Sequence, residues 1–105
     1  MSDITVVIAC FNYGLYLREA VDSALAEGAK VVVVDDGSTE PLPELPAEVD
    51  LVRQENQGVA RARNAGIGRA QTPFVIALDA DDRLLPGALE ALREPLVADP
   101  ALGFA

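Results

Sequence analysis

Residues Lys30–Thr39 read KVVVVDDGST. Four consecutive valines with no polar alternation suit a strand buried on both faces. Asp35, Asp36, Gly37 and Ser38 are turn residues by chemistry, so the strand is expected over 30–34 with a polar turn at its carboxyl end. Strands this apolar belong to a largely parallel sheet covered by helices.

Two more segments share the pattern. Ile4 to Ala9 (ITVVIA) and Phe74 to Leu78 (FVIAL) are apolar runs, and each runs into polar residues. Between the first two strands, Leu17, Ala20, Val21, Ala24 and Leu25 recur at helical spacing from Leu15 onward. Gly28 supplies the stop. EPLPELP, residues 40–46, carries three prolines and reads as a surface connection, since proline suits neither a helix interior nor a central strand. Val49 to Arg53 is a short, weaker strand candidate. Asn56 to Ala70 is expected to be helical from about Gln57 or Gly58. Pro86 suits the first turn of a further helix reaching about Val97. Gly103, Phe104 and Ala105 look like the start of one more strand.

The resulting order is β-α-β-β-α-β-α, an α/β arrangement. The strand at 74–78 should have neighbours on both edges and cover on both faces, yet the sequence stops soon after it. The expectation is an interruption within a larger architecture. The alternative is a small domain whose last strand is a protected edge or pairs with a second copy, giving a homo-oligomer.

Composition removes several classes of function. The chain has 105 residues, half of them hydrophobic, which fits one globular domain. A net charge of −9 argues against a nucleic-acid partner. One cysteine and no histidine exclude an internal disulfide, a Cys-based zinc site and His-dependent triads. Any metal must be held by oxygen, which favours magnesium, manganese or calcium. Neither a signal peptide nor a membrane-length apolar run is present, so a reducing, cytoplasmic setting is the default expectation, with the cytoplasmic face of a membrane open to a longer protein.

The acids pose the central question. Three strands end in polar clusters: Ala9-Cys10-Phe11-Asn12, Asp35-Asp36-Gly37-Ser38 and Asp79-Ala80-Asp81-Asp82. In an open parallel sheet these ends share one rim, where ligands gather. Two carboxylates about 5 Å apart repel by roughly 3 kcal/mol at an effective dielectric near 20. A divalent cation bridging acids to a diphosphate would cancel that repulsion.

VVIACFN, VVVVDDGST, NQGVARARNAG and ALDADD, in this order and spacing, resemble family 2 glycosyltransferases. The resemblance runs from Ile4 to about Ala98. It implies a GT-A-like (Rossmann-like) open sheet flanked by helices, truncated before the acceptor-binding half. The whole chain, 1–105, would then be a single donor domain that binds a nucleotide-sugar, with UDP the commonest carrier. By the same resemblance Asp36 matches the acid that contacts the nucleobase, and Ala9, Cys10 and Phe11 match the turn lining base and ribose. Arg63 falls at the arginine of the ARN segment, near the base. Asp79 and Asp81 match the two acids of the DxD motif, candidate ligands of manganese or magnesium. Asp81 is the more direct ligand and Asp79 lies nearer the ribose. Ala9 departs from the family's usual proline. The implied reaction is inverting transfer to an acceptor hydroxyl, with a general base and acceptor platform expected outside this chain.

Plainer roles compete at several positions. Asp35 suits a solvated turn, and Asp82 a helix cap or a water-facing position. Arg61 and Arg69 suit a solvated helix face, and Cys10 a small packed residue. GIGRAQ, residues 66–71, lacks the last glycine of a dinucleotide fingerprint and does not follow a strand. Residues 79–90 fail as a calcium loop, because Arg83 and Leu84 stand where an acid and a glycine are needed. A receiver-type signalling domain fits poorly, since the first strand ends without acids and the only lysine, Lys30, begins a strand. A non-catalytic nucleotide-binding module remains the main alternative to an enzyme.

Overall fold

The computed structural model describes residues 3–12 and 14–79. The helix expected after Pro86, the strand start at 103–105, and Asp81 and Asp82 lie outside the described residues. The observed order is β1 (Ile4–Cys10), α1 (Gly14–Ala26), β2 (Lys30–Asp36), β3 (Asp50–Gln54), α2 (Val59–Arg69) and β4 (Phe74–Asp79). The strands form one sheet in the order β3-β2-β1-β4, and every pairing is parallel.

Side-chain alternation divides the core into two layers. Ile4, Val6, Ile8 and Cys10 of β1, Val31 and Val33 of β2 and Ile76 of β4 pack with Leu17, Ala20, Val21 and Ala24 of α1. On the opposite face Val7, Ala9, Val32 and Val34 pack with Ala62 of α2. Helix α2 lies close to the sheet because of Gly66. A Cβ there would fall 2.3 Å from Val7 Cγ1 and 3.1 Å from Val34 Cγ2. Gly66, which opens the GIGRAQ segment, is thus a packing residue inside α2, and the segment runs past the helix end at Arg69.

Local chemistry sets the helix end. Gly28, at φ 78°, donates its N–H to the Leu25 carbonyl at 2.9 Å, and Ala29 N–H reaches the Ala24 carbonyl at 3.3 Å. That pair of bonds is a Schellman motif, with Ala24 and Ala29 in apolar company behind it.

Joining β2 to a parallel neighbour requires a crossover, usually a helix. Here the proline-rich segment makes the crossing without a helix. It is more than a surface connection, because Leu42, Leu45 and Val49 pack over the α1-side core. Arg18 of α1 steadies it by donating to the Glu44 carbonyl at 2.6 Å. The first two crossovers therefore share one face and α2 returns on the other, as right-handed connections require.

Two expectations need correction. Strand β2 does not stop at Val34 but continues through Asp36, because Asp35 pairs with both Cys10 and Arg53, and Asp36 with Gln54. Asp35 is therefore not a solvated turn residue: it is 4% exposed and in strand conformation. Among the described residues β4 pairs with β1 alone and β3 with β2 alone, so these two are the outermost of the described strands. Of the β4 side chains, Ile76 is buried and Asp79 exposed, with the rest between.

Candidate functional site

The parallel register brings the ends of β1, β2 and β4 to one rim, where Cys10 lies beside Asp35 and Ala9 beside Asp79. A cleft of about 480 Å³ opens there on the α2 side, lined by Ala9, Cys10, Phe11, Asp36, Asn56, Gly58, Val59, Ala62, Arg63 and Asp79. That volume is within the range of small-molecule sites. Six of the seven nucleotide-sugar candidates therefore meet in one place, and the seventh, Asp81, lies outside the described residues.

The neighbouring acids of β2 are separated by strand alternation. Asp36 shares a face with Val34 and α2, whereas Asp35 turns to the α1 side with Val33 and accepts from Ser38 N–H at 3.0 Å. The same alternation places the Cys10 side chain in the α1-side core, so the residue offers the cleft its main chain. Burial, reinforced by the nearby Asp35 charge and only partly opposed by Arg53, pushes the Cys10 thiol up to about 12. It is no nucleophile at neutral pH.

Asp36 is 4% exposed and densely hydrogen-bonded. Its Oδ1 accepts from Gln54 Nε2 at 2.9 Å and Gln57 N–H at 2.8 Å, and its Oδ2 from Gly58 N–H at 3.0 Å. Asn56 Nδ2 donates to its main-chain oxygen at 3.1 Å. Burial raises the pKa of this carboxyl, but the bonds from Gln54, Gln57 and Gly58 together outweigh burial and hold it below the usual carboxylate range. The carboxylate thus fastens the entry of α2 to the end of β2. Sequence reasoning missed Gln54, Asn56, Gln57 and Gly58 as partners of Asp36, although the last three form the NQG run just before the helix.

Asp79 contrasts with it. Its side chain is 53% exposed, and Oδ1 accepts from Arg63 Nη2 at 2.5 Å. Among the described residues, Arg63 is the only cationic side chain lining the cleft. Phe11, 41% exposed, adds an uncovered aromatic ring, and Val59 an uncovered aliphatic side chain.

Asn12 fixes the first-strand turn from the left-handed region, at φ 59°. Its N–H donates to Ser38 Oγ at 2.9 Å, and its Oδ1 accepts from Thr39 N–H at 2.9 Å and Glu40 N–H at 3.0 Å.

A second recess, about 950 Å³, opens at the other end of the strands around Lys30, Glu48, Asp50 and Arg69. It gathers none of the candidate residues. Arg69 and Asp50 pair there at 2.7 and 2.9 Å, which holds the Asp50 carboxyl low, so Arg69 is paired as well as exposed.

Among the described residues no three His, Cys, Asp or Glu side chains cluster so as to hold a metal ion. The donors at the rim are hard carboxylate oxygens, the kind magnesium and manganese accept. Among the described residues, Asp79 is the cleft carboxylate that keeps most of its lone pairs.

A parallel sheet with a carboxyl-rim cleft, an acid anchored after β2 and a paired acid after β4 defines a Rossmann-like, GT-A-type fold. The chain belongs to glycosyl transferase family 2, whose model matches residues 5–105. It is 40% identical over 101 residues to the succinoglycan biosynthesis protein ExoU of Rhizobium meliloti, covering 87% of this chain and 30% of the relative. Against the poly-beta-1,6-N-acetyl-D-glucosamine synthase of Staphylococcus aureus it is 32% identical over 115 residues, covering 98% of this chain and 27% of that one. The chain thus spans about a third or less of the length of these relatives. Among solved structures, S. aureus TarS in complex with UDP-GlcNAc superposes with a TM-score of 0.74 at 24% identity, covering 90% of this chain and 31% of TarS. A complex of TarS with UDP superposes equally well, with a TM-score of 0.74.

Proposed function

We propose that this chain forms the donor-binding part of a glycosyltransferase, holding a nucleoside-diphosphate sugar, with UDP as the carrier, for inverting transfer to an acceptor hydroxyl. The observation that carries the proposal is the meeting of Ala9, Cys10, Phe11, Asp36, Arg63 and Asp79 around one cleft in a member of family 2. The TarS complexes with UDP and UDP-GlcNAc support the choice of ligand, since they belong to a protein of the same fold.

The residues divide the work by their chemistry. Asp36 Oδ2 takes one protein hydrogen bond, which leaves a lone pair for an N–H of the base. Phe11 offers a flat apolar face to the base or ribose. Arg63 brings the positive charge that an anionic ligand needs in a chain of net charge −9. Asp79, with Asp81, would hold a magnesium or manganese ion, which when bound supplies Lewis-acid stabilisation of charge on the leaving diphosphate.

In the transfer itself the acceptor oxygen bonds to the anomeric carbon as the bond to the diphosphate breaks, and the hydroxyl proton passes to a base. No described cleft carboxylate is free for that proton: Asp36 holds three hydrogen bonds and Asp79 is paired with Arg63. The same observation favours a second reading, a nucleotide-binding module that does not itself catalyse transfer. Measured sugar transfer by these 105 residues would exclude it.

Donor binding is tested by thermal unfolding with UDP and manganese. Ligand at 100 times its Kd adds about 2.7 kcal/mol if it binds only the folded state. Asp81→Asn should abolish the manganese-dependent part of the shift. A folded protein with no shift at millimolar UDP and manganese overturns the donor-site proposal.

A further inference from the structure

We propose that Gly66 is a positioning residue of the cleft: its missing side chain sets the height of α2 over the sheet, and with it the width of the slot that grips the nucleoside half of the donor. The inference rests on the donor-site proposal and adds to it the element that gauges the fit.

The cleft has two walls. One stands at the ends of β1 and β2, with Ala9, Phe11 and Asp36, and the other on α2, with Val59, Ala62 and Arg63. Their separation follows the spacing between helix and sheet, and two contacts fix that spacing. At the helix entry, Asp36 accepts from Gln57 and Gly58 N–H at 2.8 and 3.0 Å. About 12 Å further along the helix axis, Gly66 lies against Val7 and Val34.

A Cβ at position 66 would fall 2.3 Å from Val7 Cγ1. Non-bonded carbons rest about 3.5–4.0 Å apart, so helix and strand would have to part by more than about 1 Å. Val7 is fully buried and β-branched, which leaves it little freedom to step aside. With its entry tied to Asp36, α2 would tilt about that end. Ala62 lies one turn before Gly66 on the same helix face and packs on the same layer of the sheet, so it would rise with it. A gap approaching 1 Å forfeits about a quarter to a half of a van der Waals contact. Gly68 is different: nothing lies within 4 Å of a Cβ there, so only the glycine at 66 answers a close approach.

The test is UDP affinity in the presence of manganese, measured by calorimetry on folded protein. The variants are Gly66→Ala, Gly68→Ala, Val7→Ala and the Val7→Ala/Gly66→Ala double variant. Gly66→Ala should bind UDP roughly three- to tenfold more weakly than wild type, the share of a small group's contact that such a gap removes. Gly68→Ala should match wild type, which separates the effect from the helix preference of alanine. Val7→Ala makes room for the new methyl, so the double variant should bind UDP within about twofold of Val7→Ala alone. That recovery comes from a substitution that itself weakens the core, so a merely structural role for Gly66 would not produce it. Should Gly66→Ala not fold, Val7→Ile presses on the same gap from the sheet and should give the same loss. Wild-type affinity in Gly66→Ala or Val7→Ile, or a loss that Val7→Ala leaves in place, overturns the gauge and leaves the donor site standing. A wild type that does not bind UDP with manganese overturns both.

Discussion

The ends of β2 and β4 carry the same chemical group and put it to opposite uses. Asp36 is buried, its two oxygens taken by Gln54, Gln57 and Gly58, and its charge is spent on holding the entry of α2. Asp79 is half open to water and held by one arginine. Though a lone pair on Oδ2 stays open to a ligand, a carboxylate with several fixed donors cannot turn toward one without dismantling its surroundings. One held by a single flexible side chain can. The difference separates the framework of the cleft from its working edge, and it arises from strand alternation and the reach of α2 rather than from residue type.

Breaking the framework should have the largest effect. Asp36→Ala leaves the Gln57 and Gly58 amides without their acceptor and is expected to destabilise the fold by about 2 kcal/mol in urea unfolding. An unchanged midpoint would show that water or another acceptor replaces the carboxylate freely.

Asp36→Asn keeps an acceptor oxygen and removes the charge, so a smaller loss of about 1 kcal/mol is expected at neutral pH. Its effect depends on acidity. The folded pKa of Asp36 lies below the unfolded value of about 4, so the unfolded chain takes up the proton first. The stabilisation is complete above that value and is lost as pH falls through the folded pKa. Stability followed from pH 6 to pH 2 should therefore decline less steeply in Asp36→Asn than in the wild type. Parallel acid limbs would remove Asp36 as a source of the acid sensitivity.

The smallest structural effect belongs to the working edge. Asp79→Asn should change stability by less than about 0.5 kcal/mol, as expected for an exposed pair. The response of unfolding to manganese with UDP should nevertheless fall. A large loss of stability would make Asp79 a second framework carboxylate and erase the contrast.

Much of this arrangement was legible in the residues. The valine run and the ITVVIA and FVIAL segments announced parallel strands, and Gly28 announced the end of α1, because each rests on local chemistry. The two acids of β2 were not placed correctly, since Asp-Asp-Gly-Ser reads as a turn until β3 supplies Arg53 and Gln54 as ladder partners. Once the strand is known to continue, alternation alone sends Asp35 and Asp36 to opposite faces. Leu42 and Leu45 looked like loop residues between prolines, and only the α1-side core gives them a place to pack. Arg63 emerged from a family resemblance, but its pairing with Asp79 depends on α2 packing over β1 and β2, from where the side chain reaches the end of neighbouring β4, a contact between residues 16 apart in sequence. Asn56 and Gly58 carried a weaker signal: polar and flexible residues ahead of a helix do not say which acid they will meet.

Asn12 has one more consequence. It reaches across from the β1 turn to Ser38, Thr39 and Glu40, so the two loops framing that side of the cleft share their fastenings. Neither can swing outward alone without forfeiting bonds anchored in the other. That flank of the opening behaves as a single jaw, and any rearrangement on ligand entry passes through both loops at once.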